Sequence, residues 1–346
     1  MISYYKRKEC LTMKFRKIMT IAAVSAVCAG SFAGCAGTET ASDTGGTESY
    51  KIGVLQYADH PSLDNCLEGF KQGLDSEGIT YELDAQSAKN DDATNTQIAQ
   101  QFAAQRLDLV CGIATPSAQA CYNACFDAGI PVIFNAVSDP VAANLAVSET
   151  EAMEGITGVS DKLPVEAQLE LIREVLPDAK TIGILYTTSE ANSVSTIEDY
   201  KEKAGDYGFE IVERGVSSAA DLAQAADVLL TEVDCVTNMT DNTVVNNLPM
   251  IIEKATAAGV PVFGSEEEQV GNGCVASAGI DYVELGKQAG VIAARVLKGE
   301  DVSSIPYETM TESKITVNPD AAAAFGIELP QSVTERAEVK TAPSES

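Results

Sequence analysis

"TIGILYTTSEANS", Thr181 to Ser193, repeats a pattern that the chain has already written once as "KIGVLQYADHPS", Lys51 to Ser62. Each stretch opens on an apolar run, with Ile52, Gly53 and Leu55 in one matching Ile182, Gly183 and Leu185 in the other. Each then breaks into a polar turn ahead of a helical pattern. Two more pairs follow in the same order: "DLVCGIATPSA" from Asp108 is echoed by "DCVTNMTDNTV" from Asp234, and "AGIPVIF" from Ala128 by "AGVPVFG" from Ala258. A series written twice in one order means two similar lobes, by duplication.

Short apolar runs bounded by turn residues read as buried strands, here at residues 51–56, 80–84, 109–113, 131–135, 181–186, 210–213, 235–239 and 261–263. Helical patterns lie between them at 62–76, 93–105, 117–128, 165–175, 193–207, 219–229 and 244–258. Strict alternation implies parallel sheets covered by helices and joined by right-handed crossovers. The expected fold is therefore α/β, with two doubly wound parallel-sheet lobes. "GITGVSD", Gly155 to Asp161, passes from the first lobe to the second, and the stretches after Val275 and around "IPYETMTESKITVN" cross again. Several adjacent crossings make a multi-strand hinge with a cleft between the lobes. The boundaries expected are 50–157 plus about 281–300 for the first lobe and 158–280 plus about 301–333 for the second, with 334–346 a disordered tail.

The start of the chain is set apart from this fold. From Met13, "MKFRKIMTIAAVSAVCAGSFAGC" carries basic residues, an apolar stretch and small residues, the pattern of a secretion signal over residues 1–34. "FAGC" resembles a bacterial lipobox, although Phe32 stands where an aliphatic residue is usual, and this implies that Cys35 is lipidated and becomes the mature N-terminus. The Gly, Ser, Thr and acid stretch of residues 35–49 then suits a flexible tether. The location expected is the outer face of a bacterial cell membrane.

The 346 residues include 51 Asp and Glu against 23 Lys and Arg, a formal net charge of −28. Such a surface repels nucleic acid and anionic headgroups, leaving the lipid anchor as the only membrane contact. Cysteines 66, 111, 121, 125, 235 and 274 show no CxxC spacing, and with a single histidine no zinc set emerges, so unpaired core thiols are expected.

In open parallel sheets, ligands sit beyond the carboxyl ends of the strands, where helix N-termini present unpaired N–H groups. The echoed stretches place four polar turns there: Gln56 to His60 and Thr115 to Ser117 in one lobe, Tyr186 to Ser193 and Asp241 to Thr243 in the other.

With "LQYADHPSLD", "IATPSAQA", "VSDP", "TGVSD", "LYTTSEANS", "TDNT", "GIDYVELG" and "IPYE" in sequence, the chain from about Tyr50 to Val333 resembles the ABC transporter substrate-binding lipoproteins of the tryptophan/tyrosine-binding type. The resemblance implies a periplasmic-binding-protein fold of the first type that captures a small molecule, most readily an aromatic amino acid, by closing its lobes. It also implies delivery to a permease and its ATPase, a monomer, no cofactor and no chemistry on the ligand. The ligand residues it implies are Thr115, Ser117 and Ala118 for a carboxylate, and Asp241 with Asn242 for an ammonium. Tyr57, Tyr186 and Tyr282 would flank a ring, with Gln56, His60, Asp139, Glu190 and Asn192 as polar contacts. Helix capping is the alternative for Thr115, Ser117, Asp241, Glu190 and Asn192, and core packing for Tyr282. Binding of another amino acid or organic acid, or a sensing role, stays open. A hydrolase built on His60 lacks a G-x-S-x-G elbow.

Overall fold

The computed structural model describes residues 49–341; the signal segment, Cys35 and the tether up to residue 48 lie outside them. Strands and helices alternate from the start: β1 (Tyr50–Gln56), α1 (Pro61–Ser76), β2 (Tyr81–Ser87), α2 (Asp92–Gln105), β3 (Leu109–Ile113), α3 (Thr115–Cys125) and β4 (Val132–Asn135). A small hairpin, β5 (Ala146–Ser148) and β6 (Glu151–Ala152), precedes β7 (Ile156–Ser160). The series then begins again with α4 (Val165–Val175), β8 (Thr181–Thr187), α5 (Ala191–Lys203), β9 (Glu210–Val216), α6 (Ala219–Leu229) and β10 (Cys235–Thr237). It continues through α7 (Asn242–Asn246), α8 (Leu248–Ala258), β11 (Val262–Phe263), α9 (Glu267–Gly271) and β12 (Ala276–Gly279). The chain returns to the first lobe for α10 (Tyr282–Leu297) and β13 (Glu308–Thr309), and ends in the second with β14 (Lys314–Val317), α11 (Pro319–Ala324), α12 (Gln331–Thr334) and β15 (Ala337–Val339).

The first sheet has the order β2-β1-β3-β4-β7-β13 and the second β9-β8-β10-β11, every pair parallel. The order β2-β1-β3-β4 in the first sheet matches β9-β8-β10-β11 in the second, so these four strands share one topology, as the echoed stretches imply. Each lobe has its own apolar interior: Ile52, Phe70, Phe102 and Phe134 are buried in the first, Leu169, Ile182, Tyr200 and Phe263 in the second. Buried on both faces, β1, β3 and β4 read as continuous apolar runs, which is why periodicity located them.

Among the described residues the chain crosses between lobes at 161–164, 280–281 and 310–313, giving a three-segment hinge. The expected boundaries move accordingly. The first lies at the end of β7, because Ile156–Ser160 pairs along β4, and the other at the end of β13, because Glu308–Thr309 pairs with β7. The expected tail is structured as far as β15, which runs parallel to β14. The single helix expected over 244–258 is two, broken at Asn247 because Pro249 enters the first turn of α8 and cannot continue a helix through its own position. All six cysteines of the described residues are buried and unbridged. No helix among these residues is long and apolar enough to cross a membrane.

Candidate functional site

The carboxyl ends of both sheets meet across the cleft, and the turns there touch. His60 Nε2 lies 3.4 Å from Asn242 Oδ1, Asn65 donates to Glu268 at 2.6 Å, Asn90 to Thr243 at 3.2 Å, and Ser195 to Asp139 at 2.5 Å. Each pair joins one lobe to the other, so the lobes are closed. Between them is a cavity of about 20 Å³, room for one water-sized molecule, so any amino acid must enter with the lobes apart.

From the first lobe the cavity wall takes His60, Thr115, Ser138 and Asp161, and from the second Asn192, Asn242 and Glu266, with Tyr282 at the hinge. No lysine or arginine is among the described residues that line it. Thr115 is held there by an unusual backbone. Ala114, between β3 and α3, has φ 75° and ψ 153°, a region that non-glycine residues enter only at a cost of about 1–3 kcal/mol. That kink aims the N-terminus of α3 at the cavity, and Thr115 Oγ1 is buried with no hydrogen-bond partner among the described residues.

Asn192 donates its amide to Glu190 and to the Thr240 carbonyl, which fixes its orientation and leaves Oδ1 buried without a partner among the described residues. Asn242 likewise donates to Glu190 at 2.7 Å, so its Oδ1 accepts from His60. The imidazole therefore carries its proton on Nε2, and burial lowers its pKa and keeps it neutral. His60 Nδ1 is left as a free acceptor, without a partner among the described residues.

Two carboxyls complete the wall. Asp161 accepts from Ser138 at 3.0 Å and from the Tyr282 hydroxyl at 2.9 Å, and burial raises its pKa. Glu266 accepts from Gln269 at 3.2 Å; burial, then the charge of Glu268, pushes its carboxyl up to about 8. The reading of the sequence had singled out neither.

The structure gives other work to several expected ligand residues. Asp241 caps α7 and accepts four hydrogen bonds, from Thr187 N and Oγ1, Ser193 Oγ and Val244 N, which fills its acceptor sites inside its own lobe. Glu190 braces the same turn through Asn242 N and Thr243 N, and burial, followed by the Asp241 charge, raises its pKa. Ser117 donates to Asn95 at 2.7 Å, and neither it nor Ala118 lines the cavity. Gln56 ties the turn to Asp64, and Asp139 is a latch across the cleft mouth. Tyr57 is buried in the first core with its hydroxyl on Asp92, and Tyr186 packs on the second core, so the expected pair of aromatic walls does not form in this closed state. Of the thirteen, His60, Thr115, Asn192, Asn242 and Tyr282 come together. Among the described residues no group of three or more His, Cys, Asp or Glu is placed to hold a metal ion.

The family model for ABC transporter substrate binding proteins matches residues 51–340. The chain belongs to that family. As such it is a substrate-binding protein that works on the outer side of the cytoplasmic membrane. It is 36% identical to a tyrosine-binding protein of Clostridioides difficile (strain R20291), over 91% of this chain and 94% of that one. An ABC domain from Streptococcus pneumonia in complex with L-Trp is 34% identical, with a TM-score of 0.82 over 85% of this chain and all of that chain. A ligand-free, open substrate-binding protein from Clostridium difficile is 37% identical with the same coverage, yet its TM-score is 0.66. This chain, whose lobes touch, thus fits the L-Trp complex better than the ligand-free, open form.

Proposed function

We propose that this chain captures an aromatic amino acid, Trp, Tyr or Phe, in the cavity between its lobes, closes over it and delivers it unchanged to an ABC permease driven by its ATPase. The observation that carries the reading is the wall itself. The N-terminus of α3 with Thr115 supplies donors for a carboxylate, while Asn192, His60 and two buried carboxyls supply acceptors for an ammonium, so both ends of an amino-acid head find partners. The tyrosine-binding and Trp-bound relatives favour an aromatic side chain. A cavity of about 20 Å³ holds no indole or phenol ring, so the liganded lobes would stand further apart than here, with the ring on the His60 and Tyr282 side of the wall.

A thermal-shift screen of the twenty amino acids with sugars and dicarboxylates tests it. At a hundredfold excess over Kd, an aromatic amino acid should stabilise the fold by about 2.7 kcal/mol and raise Tm by roughly 5–10 °C. A response to sugars or dicarboxylates alone would discard the reading. The chain is held at the membrane by a lipid on Cys35, a reading that rests on "FAGC". Cys35→Ala should release it to the medium or leave the signal uncleaved; a variant that stays on the membrane at mature size would rule the anchor out.

A further inference from the structure

We propose that Asp161 and Glu266 form a two-sided clamp for a ligand amine, one carboxylate from each lobe, so that the positive charge of the ligand is what draws the lobes shut. The inference rests on the reading that this cavity takes a small molecule, and not on the ring being aromatic. Asp161 directly follows β7, at the first-lobe end of the crossing, and Glu266 precedes α9 in the second lobe; they are 3% and 1% exposed and both line the cavity. Their partners within the protein are neutral: Ser138 and Tyr282 on Asp161, Gln269 on Glu266. A carboxylate has about four acceptor positions, so both retain capacity that the fold does not use.

Closing the lobes brings two like charges into a site whose wall contains no lysine or arginine among the described residues, and an unpaired buried charge is costly. A cation between them reverses that cost. The raised proton affinity of both carboxyls agrees with a missing counter-charge. The same wall holds Asn192, 5% exposed, with its Oδ1 unpartnered among the described residues. An ammonium has three N–H donors, and Asp161, Glu266 and Asn192 are three acceptors. Thr115, 2% exposed and also unpartnered, then remains with the N-terminus of α3 for the rest of the head group.

The test is calorimetry on the full mature chain with L-Trp, tryptamine and 3-indolepropionate, and with L-Tyr, tyramine and 3-(4-hydroxyphenyl)propionate, alongside a panel of non-aromatic amines and of amine-free sugars and dicarboxylates. The amine-free analogues should bind at least a hundredfold more weakly than the parent amino acid. Glu266→Gln and Asp161→Asn should each weaken the amino acid by thirtyfold or more with circular dichroism unchanged. Amine-free analogues binding within threefold of the parent, or both variants keeping wild-type affinity, would overturn the clamp while leaving the aromatic reading in place. If the best ligand is a non-aromatic amine, the aromatic reading falls and the clamp stands; if it carries no cation, or if nothing in the panel binds, the clamp falls. Should a variant fail to fold, the analogue series on the wild-type chain decides by itself.

Discussion

A valine at Gly290 is expected to leave little soluble, folded protein, and one at Gly73 the same. Helices α1 and α10 cross with their backbones in contact. A Cβ added at Gly69 or Gly73 would sit 2.0 Å from the Val283 carbonyl oxygen or 2.2 Å from that of Lys287; at Gly286 or Gly290 it would sit 2.2 Å from those of Cys66 or Phe70. Backbone atoms cannot rotate aside as a side chain can, so one helix must move by more than an ångström. Overpacking of this kind costs roughly 3 kcal/mol or more, a large share of an ordinary domain's stability. The damage would also reach the cleft, because α1 follows the His60 turn and α10 opens with Tyr282, whose hydroxyl holds Asp161. Gly205 is the control: no atom lies within 4 Å of its added Cβ, so Gly205→Ala should be neutral. Urea midpoints measure both, and a Gly290→Val protein unfolding at the wild-type midpoint would mean that the helices do not approach as described.

The lobes were legible because a parallel strand buried on both faces is a run of apolar residues, and this chain wrote that run, turn and helix twice. The ends of those strands were legible too, which brought His60, Thr115, Asn192 and Asn242 into view. What the sequence did not show is where the charges lie. "VSD" occurs at Val137–Ser138–Asp139 and again at Val159–Ser160–Asp161, and no local signal separates them. Only the fold does: Asp139 caps Ala142 and reaches Ser195 at the rim, whereas Asp161 is buried at the cavity. Asp241 is ambiguous in sequence for a related reason, since the residue type that suits an ammonium also suits a helix N-cap, and in this closed state its acceptor sites are taken within its own lobe. In the acidic run Glu266–Glu267–Glu268, three like residues take three different places: Glu266 is buried, Glu268 meets Asn65 across the cleft, and Glu267 points outward to Lys340. Such differences arise from tertiary placement, which periodicity does not encode.

Glu266 should give this protein two opposite pH slopes. Its carboxyl, ordinarily near 4.5, is pushed up to about 8 in the closed fold by burial and then by the Glu268 charge, with Asp161 adding to it and the un-ionised Cys66, Cys274 and Tyr282 packed around it. Between those two values the folded chain holds a proton that the unfolded chain has released. Stability therefore falls as pH rises through that window and levels off above it, by at most roughly 5 kcal/mol for this one group. Asp161, Glu190 and Glu268 are shifted in the same direction. The carboxylates shifted the other way, Asp91, Asp234, Asp281 and Glu300, lose their contribution only as pH falls through their lowered values, below this window. His60, lowered from 6.5 by burial, opposes this in part below that value, but four carboxyls outweigh one imidazole, so the ligand-free protein should melt higher at pH 5.5 than at pH 8, and Glu266→Gln should flatten much of that slope. An amine in the clamp favours the ionised carboxyl, so binding expels the proton. Ligand affinity should then rise from pH 5.5 to pH 8, and calorimetry in buffers of different ionisation enthalpy should record proton release. Equal melting temperatures at the two pH values, or a slope undiminished in Glu266→Gln, would show that this carboxyl is not the group buried against its charge.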